Sequence, residues 1–439
     1  MGKDGPVTVG TEGTASTALE RYAIRLRRER RWYAAAIAVL VVAASVVTAA
    51  VWLNGEISHT TLHTVAKAPA DIVAKAPSPT QRRVWSTTDT AAMGTPYDGG
   101  SVVTFDKHTV RGRDARTGAQ TWYYTRTDRT VCTAMQVSGV TVAVYRLHGN
   151  CDEITALDTG TGKRKWTRTL DLDTHQLNGV PTFTISGTTV MFTSPGAIYA
   201  LDTTDGYDAW LFAEAGCTVQ RAVLGSSGAL ISQTCAHRDC TQVKHCLNGQ
   251  QLVLRDPATG ENTDSSKNNG NPDQIYWAKN YDMVPASAGA VISAYSPDGK
   301  TLSVFDNKLG KVTSTLPLSP SAGGSLNLNA STDTPLSDAD LLWSAGSTYL
   351  VSSNGVPAVL WRQAANVAPT VTAESLGLAA TLTTAELVRP GARGIDVLKT
   401  ETGALGASYE ISPVPSSTAR IYPLGAGFVV ADAGVTVYS

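Results

Sequence analysis

One phrase recurs along this chain: apolar residues, an Asp, two or three turn residues, then Gly, in several copies followed by Trp. It reads Arg113-Asp114-Ala115-Arg116-Thr117-Gly118 with Trp122, then Leu157-Asp158-Thr159-Gly160-Thr161-Gly162 with Trp166, then Leu201-Asp202 with Gly206 and Trp210. Weaker copies follow at Asp256-Pro257-Ala258-Thr259-Gly260, Asp306 with Gly310, Ser353-Asn354-Gly355 and Lys399-Thr400-Glu401-Thr402-Gly403. Counted from each Asp or its stand-in, the intervals are 44, 44, 54, 50, 47 and 46 residues. A period in the forties with strand-rich copies predicts an all-β fold, a β-propeller with one four-stranded blade per repeat.

The repeat accounts for its own residues. Its Asp accepts hydrogen bonds from the backbone two residues on, and its Gly supplies the positive φ the turn needs. Trp122, Trp166 and Trp210 are expected to wedge between neighbouring blades. Asp114, Asp158, Asp202 and Asp256, with Gly118, Gly162, Gly206 and Gly260, are therefore structural, and none is half of a catalytic carboxylate pair. Each phrase should join the third strand of a blade to its outermost fourth. Seven phrases are visible, and an eighth third strand stands at Val435-Thr436-Val437-Tyr438-Ser439, where the chain stops. Arg82-Arg83-Val84-Trp85-Ser86-Thr87 can donate the missing fourth strand, with Trp85 in the place of the repeat Trp. This predicts eight blades, with seven as the alternative, locked by an N-terminal strand that hides an otherwise unpaired edge.

Ahead of the repeats, residues 33–53 (YAAAIAVLVVAASVVTAAVWL) carry no charge, enough for a helix to cross a hydrocarbon core of about 30 Å. Trp32 and Tyr33 before it and Trp52 near its end suit the two interfaces. Arg25-Leu26-Arg27-Arg28-Glu29-Arg30-Arg31 lies just upstream, so the positive-inside rule puts residues 1–32 in the cytoplasm and residues 81–439 outside. A cleaved signal peptide is the rival reading; the long basic region before the apolar stretch favours an uncleaved signal-anchor. Residues 1–32 read as a mostly disordered basic tail. Residues 54–80 hold Val65-Ala66-Lys67-Ala68-Pro69 and its echo Val73-Ala74-Lys75-Ala76-Pro77, read as a semi-extended linker that spaces the propeller from the bilayer. The predicted place is thus the cell membrane, single-pass. A formal net charge of −1 gives no basic face for nucleic acid.

All six cysteines follow residue 130, on the predicted oxidising side. Cys132 and Cys151 flank one hairpin, and Cys217 and Cys235 flank its equivalent two repeats on, which suggests that each pair bridges neighbouring strands of its own blade. Cys240 and Cys246 are left to close a loop inside the insertion that stretches this repeat to 54 residues. The insertion also holds His237 and His245, a set that would suit zinc or copper, but its spacing matches no tight knuckle and export favours disulfides. No metal site is assigned.

Leu157-Asp158-Thr159-Gly160-Thr161-Gly162-Lys163-Arg164-Lys165-Trp166 and Tyr199-Ala200-Leu201-Asp202 closely resemble the pyrroloquinoline-quinone-type propeller repeat. The resemblance spans about residues 82–439, strong in the first three copies and faint in the last three. It implies an eight-bladed fold. It occurs in quinoprotein alcohol dehydrogenases and in cofactor-free envelope proteins, among them the lipoprotein scaffold of the outer-membrane β-barrel assembly machine. With its N-terminal helix, the whole chain looks like the membrane-anchored versions common in actinobacteria. The dehydrogenases carry an adjacent Cys-Cys disulfide, an Asp base and Glu/Asn ligands for Ca²⁺; the Cys-Cys pair is absent here, and no stretch matches the calcium pattern. Gly-x-Ser-x-Gly, His-Glu-x-x-His and a phosphate-gripping loop are also absent. His108, His148 and His175 are scattered, and Ser296-Pro297-Asp298-Gly299-Lys300 reads as a hairpin turn.

The sequence therefore points to a non-catalytic binding or scaffold module for an envelope protein or glycan, with no cofactor. The alternative is a quinone-dependent dehydrogenase-like enzyme using the central channel. The Cys235–Cys246 insertion is the leading candidate loop and the Ser-, Gly- and Asn-rich stretch 318–341 the second.

Overall fold

Among the described residues, strands of two to nine residues form eight β-sheets. The computed structural model describes residues 32–33, 36–45, 56–73, 75, 77–94, 100–147, 149–170, 182–213, 216–236, 249–260, 278–279, 281–289, 291–306, 310–317, 339–344, 347–352, 358–364, 370–373, 385–399, 402–416 and 419–439. It divides into two units, residues 1–60 and 61–439. In the first, residues 36–45 and Glu56–His59 are helical. Among the described residues no helix is long and apolar enough to cross a membrane; the remainder of the 33–53 stretch, like most of the 1–32 tail, lies outside them.

The second unit is a β-propeller. Sheet III shows the plain form: Thr182–Ser186, Thr189–Thr193, Ile198–Asp202 and Asp208–Phe212, each antiparallel to the last. Sheets IV (starting at Cys217–Gly225), V (Val284–Ala288) and VII (Thr370–Ala373) repeat it, and sheet VI has three described strands from Ala339–Ser344 to Ala358–Ala364. Sheet II runs Thr130–Val137, Val140–Leu147, Asn150–Asp158 and Arg164–Thr169, with Met93–Gly94 added parallel beside its first strand. Sheet I orders Thr90–Ala91, Ser101–Phe105, Thr109–Asp114 and Gln120–Arg126. Sheet VIII takes Arg420–Leu424, Gly427–Ala431 and Val435–Tyr438 from the C-terminus and Arg83–Thr87 from the N-terminal side. Trp85 sits opposite Val437, and Arg82 and Ser439 exchange two backbone hydrogen bonds of 3.0 and 2.9 Å. The last sheet is closed by the first repeat-like strand.

The core lies between sheets rather than inside one. Val103, Trp122 and Tyr124 of sheet I pack on Ala134, Ala143 and Tyr145 of sheet II. Val142 and Ile154 of sheet II meet Ile185, Val190 and Phe192 of sheet III. Val102 and Ala115 meet Val429, Val435 and Val437 across the seam between the first and last sheets. A second strand is thus covered on both faces, and Thr189–Thr193, Ile292–Tyr295 and Gly427–Ala431 are buried almost throughout. Outer strands are farther from the axis and alternate, as in Val312–Pro317 and Leu405–Glu410.

The repeat Trp residues fasten one sheet to the next by a shared geometry. Trp85 Nε1 donates to the Ala115 carbonyl (3.0 Å), Trp122 to Thr159 (2.7 Å), Trp166 to Thr203 (3.0 Å) and Trp210 to Pro257 (3.0 Å). Every acceptor is the residue after the repeat Asp of the following sheet. The ring then lies on that repeat's Gly: a methyl group at Gly162 would come within 2.5 Å of Trp122, and one at Gly118 within 2.6 Å of Trp85. The turn is braced from inside, since Gly162 N donates to the Asp158 carbonyl and Thr161 N to its Oδ1, both at 2.8 Å.

Two expectations need correction. The linker is not a free spacer, because its described residues from 61 to 81 bond to the propeller. Thr60–His63 joins the outer edge of sheet I beside Gln120–Arg126, with the His63 ring stacked on Tyr123 at 5.6 Å. Val65 N then donates to Thr161 O (3.0 Å), Arg116 grips the carbonyls of Ala70 and Asp71 (3.0 and 2.8 Å), and Lys75 N and Ser78 N donate to Gly425 and Ala426 (3.0 and 2.9 Å). This strap crosses the turns of sheets II, I and VIII. Composition suggested a spacer, but unpaired extended backbone also finds partners in the exposed carbonyls of turns. The second correction concerns Cys132–Cys151, which joins the first and third strands of sheet II, not neighbours; bulges at Val131/Thr133 and Cys151/Glu153 accompany the reach past the intervening strand.

Trp122→Ala should lower unfolding stability by about 3–5 kcal/mol in a denaturant titration, the cost of emptying a fully buried Trp site. Arg116→Ala, which removes both strap carbonyl contacts, should cost about 1–3 kcal/mol in the same measurement.

A candidate interaction face

In an antiparallel four-stranded sheet the 1–2 and 3–4 turns share one end, and the 2–3 turn and the link to the next sheet share the other. Among the described residues, the strap's bonds to turns fall in the first set: the 3–4 turns at Thr161 and Arg116, and the 1–2 turn at Gly425 and Ala426. Both described disulfides lie at the opposite ends. Cys217 and Cys235 are paired across the first two strands of sheet IV, with Cα atoms 4.0 Å apart, beside the 2–3 connection. Cys132 and Cys151 hold the corresponding end of sheet II, with Cα atoms 6.1 Å apart. The 54-residue repeat inserts its extra chain at that same end, after Cys235. His237, Cys240, His245 and Cys246 lie outside the described residues, as do His148, His175 and residues 318–338 of the second candidate loop.

Between sheets I and II this face carries a ring of charges that sequence reasoning missed. Arg126 ends the outer strand of sheet I with its side chain 1% exposed, and its guanidinium donates to Glu153 and to Asp128 (3.2 Å). Arg129 closes the circle, 2.7 Å from Asp128 and 3.3 Å from Glu153. Two cations and two carboxylates alternate, so the ring is neutral, with Arg126 and Glu153 buried and Asp128 and Arg129 reaching the surface. His108, in the adjoining turn, bonds through Nδ1 to the Arg129 carbonyl. A second network ties Asp89 to Arg111 (3.2 Å) and Arg113 (2.8 Å).

The electrostatics follow from these pairs. Burial opposes ionisation of Asp128, but the Arg126 hydrogen bond and the charges of Arg126 and Arg129 outweigh it and hold the carboxyl below its usual range. The same balance lowers Asp89 through Arg113 and Arg111, and Asp106 through Arg111 and two backbone amides. Burial pushes the Tyr145 phenol well up, with Tyr124 adding to the effect and Arg126 opposing it. The Arg126–Glu153 pair links sheets I and II, whereas the Asp89 and Asp106 networks brace sheet I itself. Among the described residues no three His, Cys, Asp or Glu side chains gather to hold a metal ion. Asp114, Asp158, Asp202 and Asp256 each spend a carboxylate oxygen on their own turn. The Arg126-Thr127-Asp128-Arg129 run was the one visible sign of the ring, since charged residues make up only 17% of the chain.

Residues 70–216 match the family described as outer membrane protein assembly factor BamB. The matched segment starts inside the strap and ends before Cys217. No protein of curated function matches the chain. Among solved structures, the chain is similar to BamB from Moraxella catarrhalis, at 18% identity over 86% of this chain and 98% of that one, with a TM-score of 0.42. It is also similar to the quinohemoprotein alcohol dehydrogenase ADHIIG from Pseudomonas putida HK5, at 13% identity over 84% and 78%, with a TM-score of 0.44. A third is the computationally designed Ika8 protein, at 13% identity over 81% and 98%, with a TM-score of 0.46.

Glu153→Gln leaves Arg126 buried with half its partners and should cost about 3–5 kcal/mol in a denaturant titration. Because Asp89, Asp106 and Asp128 have depressed folded pKa values, their stabilisation is complete above the unfolded value of about 3.9 and is lost as pH falls through the folded ones. Thermal unfolding followed from pH 7 to pH 2 should therefore show a Tm that drops below about pH 4.

Proposed function

We propose that this chain is a membrane-tethered, extracytoplasmic propeller of eight blades that binds an envelope protein or glycan on the face opposite its strap, without catalysing a reaction on the partner. The observation that carries the reading is the asymmetry of the two faces. One is crossed by the strap, whereas the other is free of it and carries two disulfide-braced sheet ends and the longest insertion of the strong repeats. Insertions in repeat folds project as loops and commonly serve recognition. The match of residues 70–216 to a family described as an assembly factor supports a protein partner.

Eight consecutive sheets and the pairing of Arg83–Thr87 with Val435–Tyr438 support the blade count. The anchor is supported by the charge-free 33–53 stretch. Ile37, Val39, Leu40, Val41 and Val42 project from its helical residues with 59–68% exposure, and a helix apolar on every side belongs in lipid or a core. The basic run before it argues for a cytoplasmic N-terminus.

Photo-cross-linkers placed in the native envelope at Arg146 or Lys300, both at 2–3 turn ends, should capture a discrete partner, while one at Thr402, in a 3–4 turn, should not. Capture from Thr402 alone would overturn the face assignment. Titrating the purified full chain with pyrroloquinoline quinone and Ca²⁺ checks the catalytic alternative: a tight stoichiometric complex would overturn the scaffold reading.

A further inference from the structure

We propose that the strap, together with the turn ends of sheets II, I and VIII that it crosses, forms a basic surface that lies on the anionic headgroups of a lipid bilayer. This surface presupposes the tether proposed above. It sits at the sheet ends opposite those assigned to the partner.

The charges are distributed unevenly. Lys67 and Lys75 belong to the strap, Arg82 and Arg83 lead from it into the closing strand, and the Lys163-Arg164-Lys165 run borders the 3–4 turn of sheet II; all are exposed. Arg116, in the 3–4 turn of sheet I, keeps its full charge, because its two strap partners are neutral carbonyls. Against these cations stand Asp71, Asp114 and Asp158, the last two each with a carboxylate oxygen turned into its own loop. The sector is therefore basic in a chain whose formal net charge is −1. One repeat farther on the sign reverses, since the 3–4 turn of sheet III carries Asp202, Asp205 and Asp208 and no cation of its own. Basic character is not shared by every 3–4 turn.

Chain length selects a bilayer as the occupant. The charge-free stretch ends at Leu53, and His63 is already stacked on Tyr123. Fully extended, the chain between them spans about 35 Å, and the helical Glu56–His59 shortens it. A domain of this size has a radius of gyration of about 20 Å, so the tether is shorter than the propeller is wide. Some part of the propeller surface must then stay near the headgroups, within the roughly 8–10 Å over which charges attract in physiological salt. Basic residues beside a membrane segment are drawn to anionic lipid, and exposed apolar side chains among them add buried area. Val73, 73% exposed, precedes Lys75, and Val84, 48% exposed, follows Arg83.

The test uses the full chain in lipid nanodiscs, one set of phosphatidylcholine alone and one of phosphatidylcholine with phosphatidylglycerol. Hydrogen exchange over residues 61–73, 114–119 and 159–165 should be slower in the anionic discs by about tenfold or more, and high salt should abolish the difference. Lys67→Glu combined with Lys163→Glu and Lys165→Glu should remove the slowing while leaving the Tm in detergent unchanged. Lys300→Glu, at a 2–3 turn, should leave the slowing intact. A chain that enters neither disc overturns the tether and this surface with it. A chain that enters both discs with equal exchange, or that slows instead over residues 106–108 and 296–300 at the opposite sheet ends, overturns this proposal and leaves the tether standing.

Discussion

Trp122, with its indole N–H on the Thr159 carbonyl and its ring against Gly162, is one of four such contacts among the described residues that join successive sheets. The contact is specific twice over. The hydrogen bond fixes where the ring sits along the next turn, and the lack of a side chain at the glycine lets it lie flat there. Because the glycine also holds φ near +73°, one residue serves both the turn and the neighbour. The apolar clusters between sheets then fill the remaining space.

The strap and the closing strand solve a problem the repeats leave behind. A ring built of identical contacts has one junction where the chain's two ends must meet, and that seam has no covalent connection. Arg83–Thr87 supplies the missing fourth strand, and Trp85 extends the Trp series across the seam onto Ala115. Val65, Ala70, Asp71, Lys75 and Ser78 then tie the turns of sheets II, I and VIII together from outside. Closure and strapping fall on one segment, and that segment follows the stretch read as a membrane anchor. The cost is surface, since the turns it crosses are no longer open to a partner.

The ion ring works differently. Arg126 is buried where the outer strand of sheet I passes into sheet II. Alternating charges with no net sum satisfy the backbone link and its neighbours without leaving a lone charge in the interior. Cys132–Cys151 braces the same end.

The repeat, and with it the all-β propeller, was legible in the sequence because each copy needs Asp and Gly for a local turn and Trp for the next copy. Such short-range demands leave a pattern that survives without any knowledge of the fold. The closing strand was legible for the same reason: Trp85 is the repeat's own residue displaced to the other end of the chain. Three things were decided only in three dimensions. The strap has no motif, because Thr, Val, Ala and Pro bond through their backbones, and a backbone's partner is set by what lies beside it. The Arg126–Asp128–Arg129–Glu153 ring joins residues from two sheets whose ends meet only after the blades stack. Which face stays open depends on both, since the sequence names the turns but only their stacking shows which of them the strap has already covered.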